Sequence, residues 1–401
     1  MEVMPILRAL RRNKVGATLV ALQLALTLAV LANALSVIQH HWTDMTRPSG
    51  LDEANVFSMT NQWLGQPDDL QARVETDIAA LRALPGVIDA EATFNFPMSG
   101  NYFTGNIGLK PGQSTAPMMT NLFFNTVHGL PAQGLKLVAG RWFTADEVGK
   151  IKMWQVGGAP SVVLSASLAT RLFPDGHALG RSVYVISDTP MRVVGIVQTA
   201  ASVSGARFNS DFSTFLPFQI VNNFMDYVVR TQPGQQRRVM AAAKERLLAI
   251  SRVRVLSQVQ TFSESRTKLF ASAAATSWLL ATVCTLLLVI SACGTVGLTM
   301  LWVAQRRRQI GMRRALGARR VDILRYFHTE NLLISGIGAL LGLAAGLGAN
   351  LWLAKHLSID RMSPVYIGVG ALIVIALSQL AVLWPALRAA GVPPSLASRG
   401  L

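Results

Sequence analysis

Four uncharged, apolar stretches punctuate the chain, at residues 15–38, 269–305, 331–354 and 362–387. Each exceeds the roughly 20 residues that a membrane-crossing helix needs, and together they predict four transmembrane helices. The long segment between the first and second, residues 39–270, has a different pattern. Leu70, Val74, Ile78 and Leu81 recur at helical spacing over 68–84, and Pro85-Gly86 ends that helix. Apolar runs at 87–94, 161–164 and 191–197 read as strands. Ser165 is placed to cap a short helix to Leu172, which Pro174-Asp175-Gly176 terminates, and a further helix is expected over 235–250. Residues 95–133 are richer in Asn, Gly, Thr and Met and read as a looser subdomain. The fold class expected is an α+β integral membrane protein: four transmembrane helices with a large mixed α/β extracytoplasmic domain between the first and second.

The second apolar stretch is longer than a bilayer requires. As a helix, 269–305 would extend about 55 Å, against about 30 Å of hydrocarbon. It predicts a helix protruding above the outer surface from around Thr261 through Ser277, in preference to a loop followed by an ordinary span.

Composition sharpens this picture. The chain is 51% hydrophobic, with a mean hydropathy of +0.37 and a formal net charge of +16. Residues 39–270 hold 21 basic and 17 acidic side chains, a surplus of only 4. Most of the excess therefore lies in short pieces flanking the apolar stretches. That distribution excludes a nucleic-acid-binding stripe and fits a topology signal with contacts to anionic lipid. The densest piece, residues 304–330, carries eight arginines (Arg306, Arg307, Arg308, Arg313, Arg314, Arg319, Arg320 and Arg325) against only Asp322 and Glu330. Ile310, Ala315, Leu316, Val321, Ile323 and Leu324 recur among them at three- and four-residue intervals, so the segment reads as a basic amphipathic helix. Positive residues stay cytoplasmic, which puts 304–330 and both termini inside and the loop at 355–361 outside. Arg8, Arg11, Arg12 and Lys14 precede the first span, and Leu7 and Leu10 among them make residues 1–14 a short interfacial amphipathic stretch. Those charges with Ala32-Asn33-Ala34 resemble a signal peptide, but the apolar core is too long for one, and a retained anchor is the better reading.

Candidate chemistry is sparse. Cys284 and Cys293 lie in one span, nine residues apart and so on opposite helix faces, which precludes a disulfide between them. The histidines are scattered with no HExxH, and His40-His41 lack a third ligand nearby. No GxSxG elbow or GxxxxGK[ST] phosphate loop occurs. Gly338, Gly342 and Gly346, at four-residue spacing within the third span, predict close helix packing. Gln23, Asn33, Asn350 and Gln379 are the main polar members of the spans, so an ion-coupled transporter is disfavoured and energy is expected from outside this chain.

Three sets of residues resemble the MacB/FtsX-like permeases of ABC transporters, which have the type VII architecture. Residues 309–318, QIGMRRALGA, look like that family's EIGIRRALGA stretch; residues 137–143, 160–172 and 192–197 look like its extracytoplasmic core; LWPALRAA at 383–390 followed by PSLA at 394–397 looks like its C-terminal end. The resemblance implies an ATPase-coupling helix built from Ile310, Gly311, Arg313, Arg314, Ala315, Leu316, Gly317 and Ala318. In it, Gly317 permits close approach, Ala315 and Leu316 enter an apolar groove, and Arg313 and Arg314 add charged contacts. It assigns 39–270 to a periplasmic MacB-like core domain, 271–303 to the second transmembrane helix with an outer stalk, and 388–401 to a cytoplasmic tail. Gln305 and Gln309 stand where the family usually has glutamates, which removes two carboxylates beside the arginines. The partners implied are an ABC ATPase subunit dimer carrying ATP and Mg, a second permease chain, identical or related, and membrane lipid, with a periplasmic adaptor and outer-membrane channel left open. No cofactor, metal or catalytic residue is expected on this chain. The function implied is efflux of a periplasmic or membrane-derived substrate such as a peptide, antibiotic or lipoprotein. The alternative is an FtsX-like regulator of a periplasmic cell-wall hydrolase, which the size of the middle segment disfavours.

Overall fold

The computed structural model describes residues 14–65, 67–112, 118–151, 157–202, 210–357 and 363–391. Most of the amphipathic stretch at 1–14, most of the loop at 355–361 and the PSLA motif lie outside these residues. The chain runs through α1 (Lys14–Thr46), β1 (Val56–Trp63), α2 (Leu70–Arg82), β2 (Val87–Thr93), β3 (Thr104–Gly108), β4 (Met118–Phe124), α3 (Gly129–Gln133) and β5 (Leu137–Gly140). A 3-10 turn at Ala145–Glu147 leads to β6 (Gly149–Ile151), β7 (Ser161–Ser165), α4 (Ala166–Leu172), β8 (Ser182–Val185) and β9 (Pro190–Val197). Then come β10 (Ser213–Leu216), β11 (Phe218–Ile220), β12 (Phe224–Thr231), α5 (Gln236–Ile250) and β13 (Arg254–Thr261). Helices α6 (Phe262–Leu269), α7 (Ala271–Gln305), α8 (Arg307–Ala315), α9 (Arg320–Leu357) and α10 (Pro364–Ala390) follow. Two units are compact, Asp44–Ser272 and the pair Met1–Thr43 with Ala273–Leu401.

The mixed unit is built on two sheets. The first has strand order β13-β1-β12-β2, all antiparallel. Strand alternation sends Phe57, Met59, Ala90, Ala92, Tyr227 and Val229 to one face, where they pack on Val74, Ile78 and Leu81 of α2 and Val239, Ala243 and Leu247 of α5. A fully buried ion pair locks this layer: Arg254 donates to Asp77 at 2.6 and 2.9 Å, Tyr227 Oη donates to the same carboxylate at 2.7 Å, and the guanidinium stacks 3.9 Å from the Trp63 ring. The second sheet runs β5-β9-β7-β10-β4-β3-β8, and β8 also pairs with β9, so the sheet closes on itself around an apolar core.

The described residues of 95–133 are not loose. Strand β4 pairs with both β3 and β10, and Leu122 and Phe123 are fully buried. The polar residues that make this stretch look open are satisfied inside: Thr120 Oγ1 bonds Thr214 Oγ1 at 2.9 Å, and Asn121 donates to Phe212 O at 3.0 Å. Ser165 stands at the start of α4, yet its hydroxyl donates to Asp211 O at 2.7 Å and makes no cap bond. Residues 140–143, within the family-like stretch 137–143, form a corner. Gly140 takes φ +76°, Arg141 grips Glu147 at 2.7 Å through two nitrogens, and Trp142 Nε1 donates to Thr126 O at 3.0 Å.

The helix expected to start near Thr261 is two helices. Thr261 and Glu264 form a capping box that starts α6, which ends at Phe270 before α7 begins. Arg266 of α6 then donates to Met45 O at 2.8 Å, to Arg47 O, and to Glu53 at 2.7 Å. Helix α7, at 35 residues, is about 52 Å long.

In the helical unit, α1, α7, α9 and α10 are each long and apolar enough to cross a membrane. A Cβ on Gly338 would lie 2.8 Å from Ala21 O, on Gly342 2.7 Å from Ala25 O, and on Gly346 3.5 Å from Ala29 Cα. Small residues on α9 thus meet small residues on α1, the arrangement that lets helix backbones touch in lipid. Thr27 bonds Ser291 at 2.7 Å and Asn331 bonds Ser378 at 2.9 Å, so polar groups inside the unit pair across helices. Cys284 is buried in this core and Cys293 is exposed.

Candidate functional site at the arginine-rich interhelical segment

The segment 304–330 is a helix, a turn and the start of a second helix, where periodicity alone predicts one continuous helix. The break comes from Gly317, at φ +101°. Its N–H bonds Arg314 O at 3.2 Å and the Ala318 N–H bonds Arg313 O at 3.0 Å, the pair of bonds that closes a helix through a left-handed glycine. None of the described residues lies within 4 Å of a Cβ built on Gly317, so inside the chain the glycine serves the turn conformation and leaves the space beside it open. On the far side, Asp322 accepts the Arg319 N–H at 2.9 Å and starts α9.

The inner face of α8 is spent within the chain. Ile310 is buried with Ile323 and Phe327 of α9 and Val382, Ala386, Ala389 and Ala390 of α10, and Gly311 is buried beside it. Arg314 donates to Ala390 O at 3.0 Å, where a helix end leaves carbonyls without partners. Ile310 and Arg314 therefore position α8 and do not face outward. Arg313 lies 5.2 Å over the Tyr326 ring. Arg306, just before α8, donates to both oxygens of Glu330 at 3.0 and 2.9 Å and to Tyr326 Oη at 3.2 Å. Glu330 is 2% exposed, an acid that adjoins the uncharged run and lies inside α9.

The outer face carries Met312 at 49% and Leu316 at 89% exposure, with Ala315 exposed between them. Arg307, Arg308, Arg319, Arg320 and Arg325 are exposed around it. An apolar patch rimmed by cations, on a helix pinned from behind, is chemically suited to a groove with an acidic border.

No three of His, Cys, Asp and Glu converge on a metal-sized site among the described residues. His41 Nδ1 instead lies 3.1 Å from Ala273 O and from Ser277 Oγ, joining α1 to α7. Two buried carboxylates of the mixed unit, Glu91 and Asp226, escaped the sequence reading. Their strands carry them inward onto the polar face of the first sheet, and no local spacing marks them.

Residues 18–248 match the MacB-like periplasmic core domain and residues 281–394 the FtsX-like permease C-terminal region. The macrolide export ATP-binding/permease protein MacB of Chromobacterium violaceum is 30% identical over 238 residues, covering 58% of this chain and 35% of that protein. MacB of Nitrobacter winogradskyi is 25% identical over 298 residues, covering 72% of this chain and 44% of that protein. The chain thus spans less than half the length of these curated relatives. The periplasmic region of MacB from Actinobacillus actinomycetemcomitans superposes on 56% of this chain and 97% of its own length, with 16% identity and a TM-score of 0.32. The four apolar helices together with the family match indicate a multi-pass inner-membrane protein. With one of these matches extending over more than half of its residues, the chain belongs to the MacB/FtsX-like permease family.

Proposed function

We propose that this chain is the membrane subunit of an ATP-driven exporter of the mechanotransmission type. A separate ABC ATPase dimer, carrying ATP and Mg, docks on the outer face of α8 in the cytoplasm. Its closing moves the permease, and the periplasmic domain drives a periplasmic or membrane-derived substrate such as a peptide, antibiotic or lipoprotein outward. Two permease chains, identical or related, complete the complex, with both termini cytoplasmic. The observation that carries this reading is the exposed Met312–Ala315–Leu316 patch, held in place by Ile310, Arg306 and Arg314 behind it.

Leu316→Asp tests it. The substitution leaves all eight arginines and the inner face intact, so membrane insertion persists. In a dry contact it buries an unpaired carboxylate, a penalty of several kcal/mol. The expected result is a normally inserted chain that no longer retains its ATPase on purification and no longer supports efflux. Retention of the ATPase at wild-type stoichiometry would refute docking at this face. A regulator of a cell-wall hydrolase, which the same C-terminal region also fits, would retain ATPase binding in the unmutated chain yet show hydrolase activation with no ATP-dependent efflux.

A further inference from the structure

The face of the first sheet that turns away from α2 and α5 is polar where it meets the second sheet. Register places Glu91, Val228 and Ser58 in one row across β2, β12 and β1, and Thr93, Asp226 and Thr60 in the next. Glu91 is 1% exposed and Asp226 5%. Neither forms an ion pair among the described residues. Their partners are neutral donors, most of them from the chain that follows the second sheet's β4. Glu91 accepts from Thr126 N at 2.5 Å, Thr126 Oγ1 at 2.9 Å, Asn125 Nδ2 at 2.9 Å and Gln133 Nε2 at 3.4 Å. Asp226 accepts from Thr60 Oγ1 at 2.7 Å and from Asn101 Nδ2, in the segment before β3, at 3.3 Å. Glu91 also reaches a cleft of about 280 Å³ between α2 and the 126–128 segment, which gives protons a route to it.

We propose that this seam is a proton-operated joint, held closed when Glu91 and Asp226 are protonated and loosened when they ionise. Both protonation states of Glu91 can be satisfied locally. Ionised, it takes the four donors above. Protonated, it becomes a donor itself, and the buried Asn125 Oδ1 and Gln133 Oε1 beside it have no hydrogen-bond partner and can accept once either amide turns. Burial decides between the states. It pushes Glu91 up to about 7 and Asp226 up to about 6, outweighing the hydrogen bonds that pull each of them down.

The other charged groups near Glu91 are already committed. Arg82 of α2 and His128 both hold Asp89 of β2, at 2.9 and 2.8 Å, and Lys150 of β6 holds Glu75 of α2 at 3.0 Å across the cleft. Arg82 attracts the ionised Glu91 from a distance without pairing to it. A carboxyl whose proton is bound more tightly in the closed seam than in the open one favours the closed seam at acid pH. That preference fades as pH rises from 4.5 to above 7. The joint belongs to the mixed unit and holds whether or not the chain exports anything.

With Glu91 at 4.5 when open and about 7 when closed, the opening equilibrium rises about tenfold between pH 6 and pH 8. Hydrogen–deuterium exchange on the full chain in detergent, corrected for intrinsic rates, reads this in peptides covering 87–95 and 122–134. The expected result is about twentyfold less protection at pH 8 than at pH 6 in the wild type, about tenfold from Glu91 and about twofold from Asp226, at 3.8 when open and about 6 when closed. The isosteric double variant Glu91→Gln/Asp226→Asn, which cannot ionise, should remain at the acid level throughout. An infrared titration of the wild type provides a second reading that needs no variant: the protonated-carboxyl band should vanish with a midpoint near neutrality. Equal protection at the two pH values in the wild type, an undiminished pH response in the double variant, or no such band at pH 6 would each overturn the proposal.

Discussion

Gly342→Ala adds one methyl group to α9 where that helix touches α1. The new Cβ would sit 2.7 Å from Ala25 O, 2.9 Å from Leu28 Cβ and 3.0 Å from Ala25 Cα. Carbon atoms in contact rest about 3.5–4.0 Å apart, so the helices must separate by roughly 0.5–1 Å, which forfeits a quarter to a half of each dispersion contact along the seam. Overpacking of this kind costs about 1–3 kcal/mol. Replacing a helical glycine by alanine returns about 1 kcal/mol, so the net effect is destabilising. At Gly346 the nearest atom to the new Cβ is Ala29 Cα at 3.5 Å, an ordinary contact. There the propensity gain stands alone, and Gly346→Ala should be neutral or stabilising. The structure supplies the probe. Cys284 is buried in this core and Cys293 is exposed. In a Cys293→Ser background, a thiol-reactive dye therefore reports the opening of the helical unit alone during a thermal ramp. Gly342→Ala should lower the midpoint by several degrees, at about 2–4 °C per kcal/mol, while Gly346→Ala leaves it unchanged or raises it. Equal shifts for the two variants would refute the assignment of the contact.

In the mixed unit, Asp77→Ala strands the fully buried Arg254 and the Tyr227 hydroxyl, and should destabilise by about 3–5 kcal/mol; an Asp77→Leu/Arg254→Met pair should recover most of that in a chemical-denaturation series. Arg141 and the Thr144 backbone N–H hold Glu147 down to about 2. Its contribution is therefore complete above pH 4.5 and fades as pH falls toward 2, and Glu147→Gln should flatten the acid limb of a stability–pH curve over that window. Arg306→Ala leaves Glu330 buried without its cation and should lower the dye-reported midpoint more than Glu330→Gln does; equal effects would mean that the pair does not fix α8.

The elements legible in the sequence are those whose pattern has a single cause. The membrane spans are read from hydropathy, and α2 from Leu70, Val74, Ile78 and Leu81 against one sheet face. Strands β1 and β12 are harder to read because both of their faces are covered by different things. Phe57 and Met59 meet helices while Ser58 and Thr60 meet a polar seam, so neither an apolar run nor a solvent-facing alternation results. The same two-sided burial hides Glu91 and Asp226. The break at Gly317 is concealed because Leu316 and Ile323, seven residues apart, continue the helical spacing across it. What the glycine's φ changes is direction, which periodicity does not record.

The eight arginines that mark this chain divide by their surroundings into two groups, a division that charge patterning does not record. Arg306, Arg313 and Arg314 face Glu330, Tyr326 and the carbonyl end of α10. They fix where α8 lies. Arg307, Arg308, Arg319, Arg320 and Arg325 are exposed and leave their charge on the outer surface. A helix as short as α8 is marginal in water by itself, so its outer patch holds a fixed shape only because the inner group ties it to α9 and α10. Gln305 and Gln309 fit the same division. Both are exposed, so the glutamates that the family usually has at these places would add charge to the outer surface and leave the inner ties unchanged. Exchanging them therefore changes the outer surface and not how α8 is held.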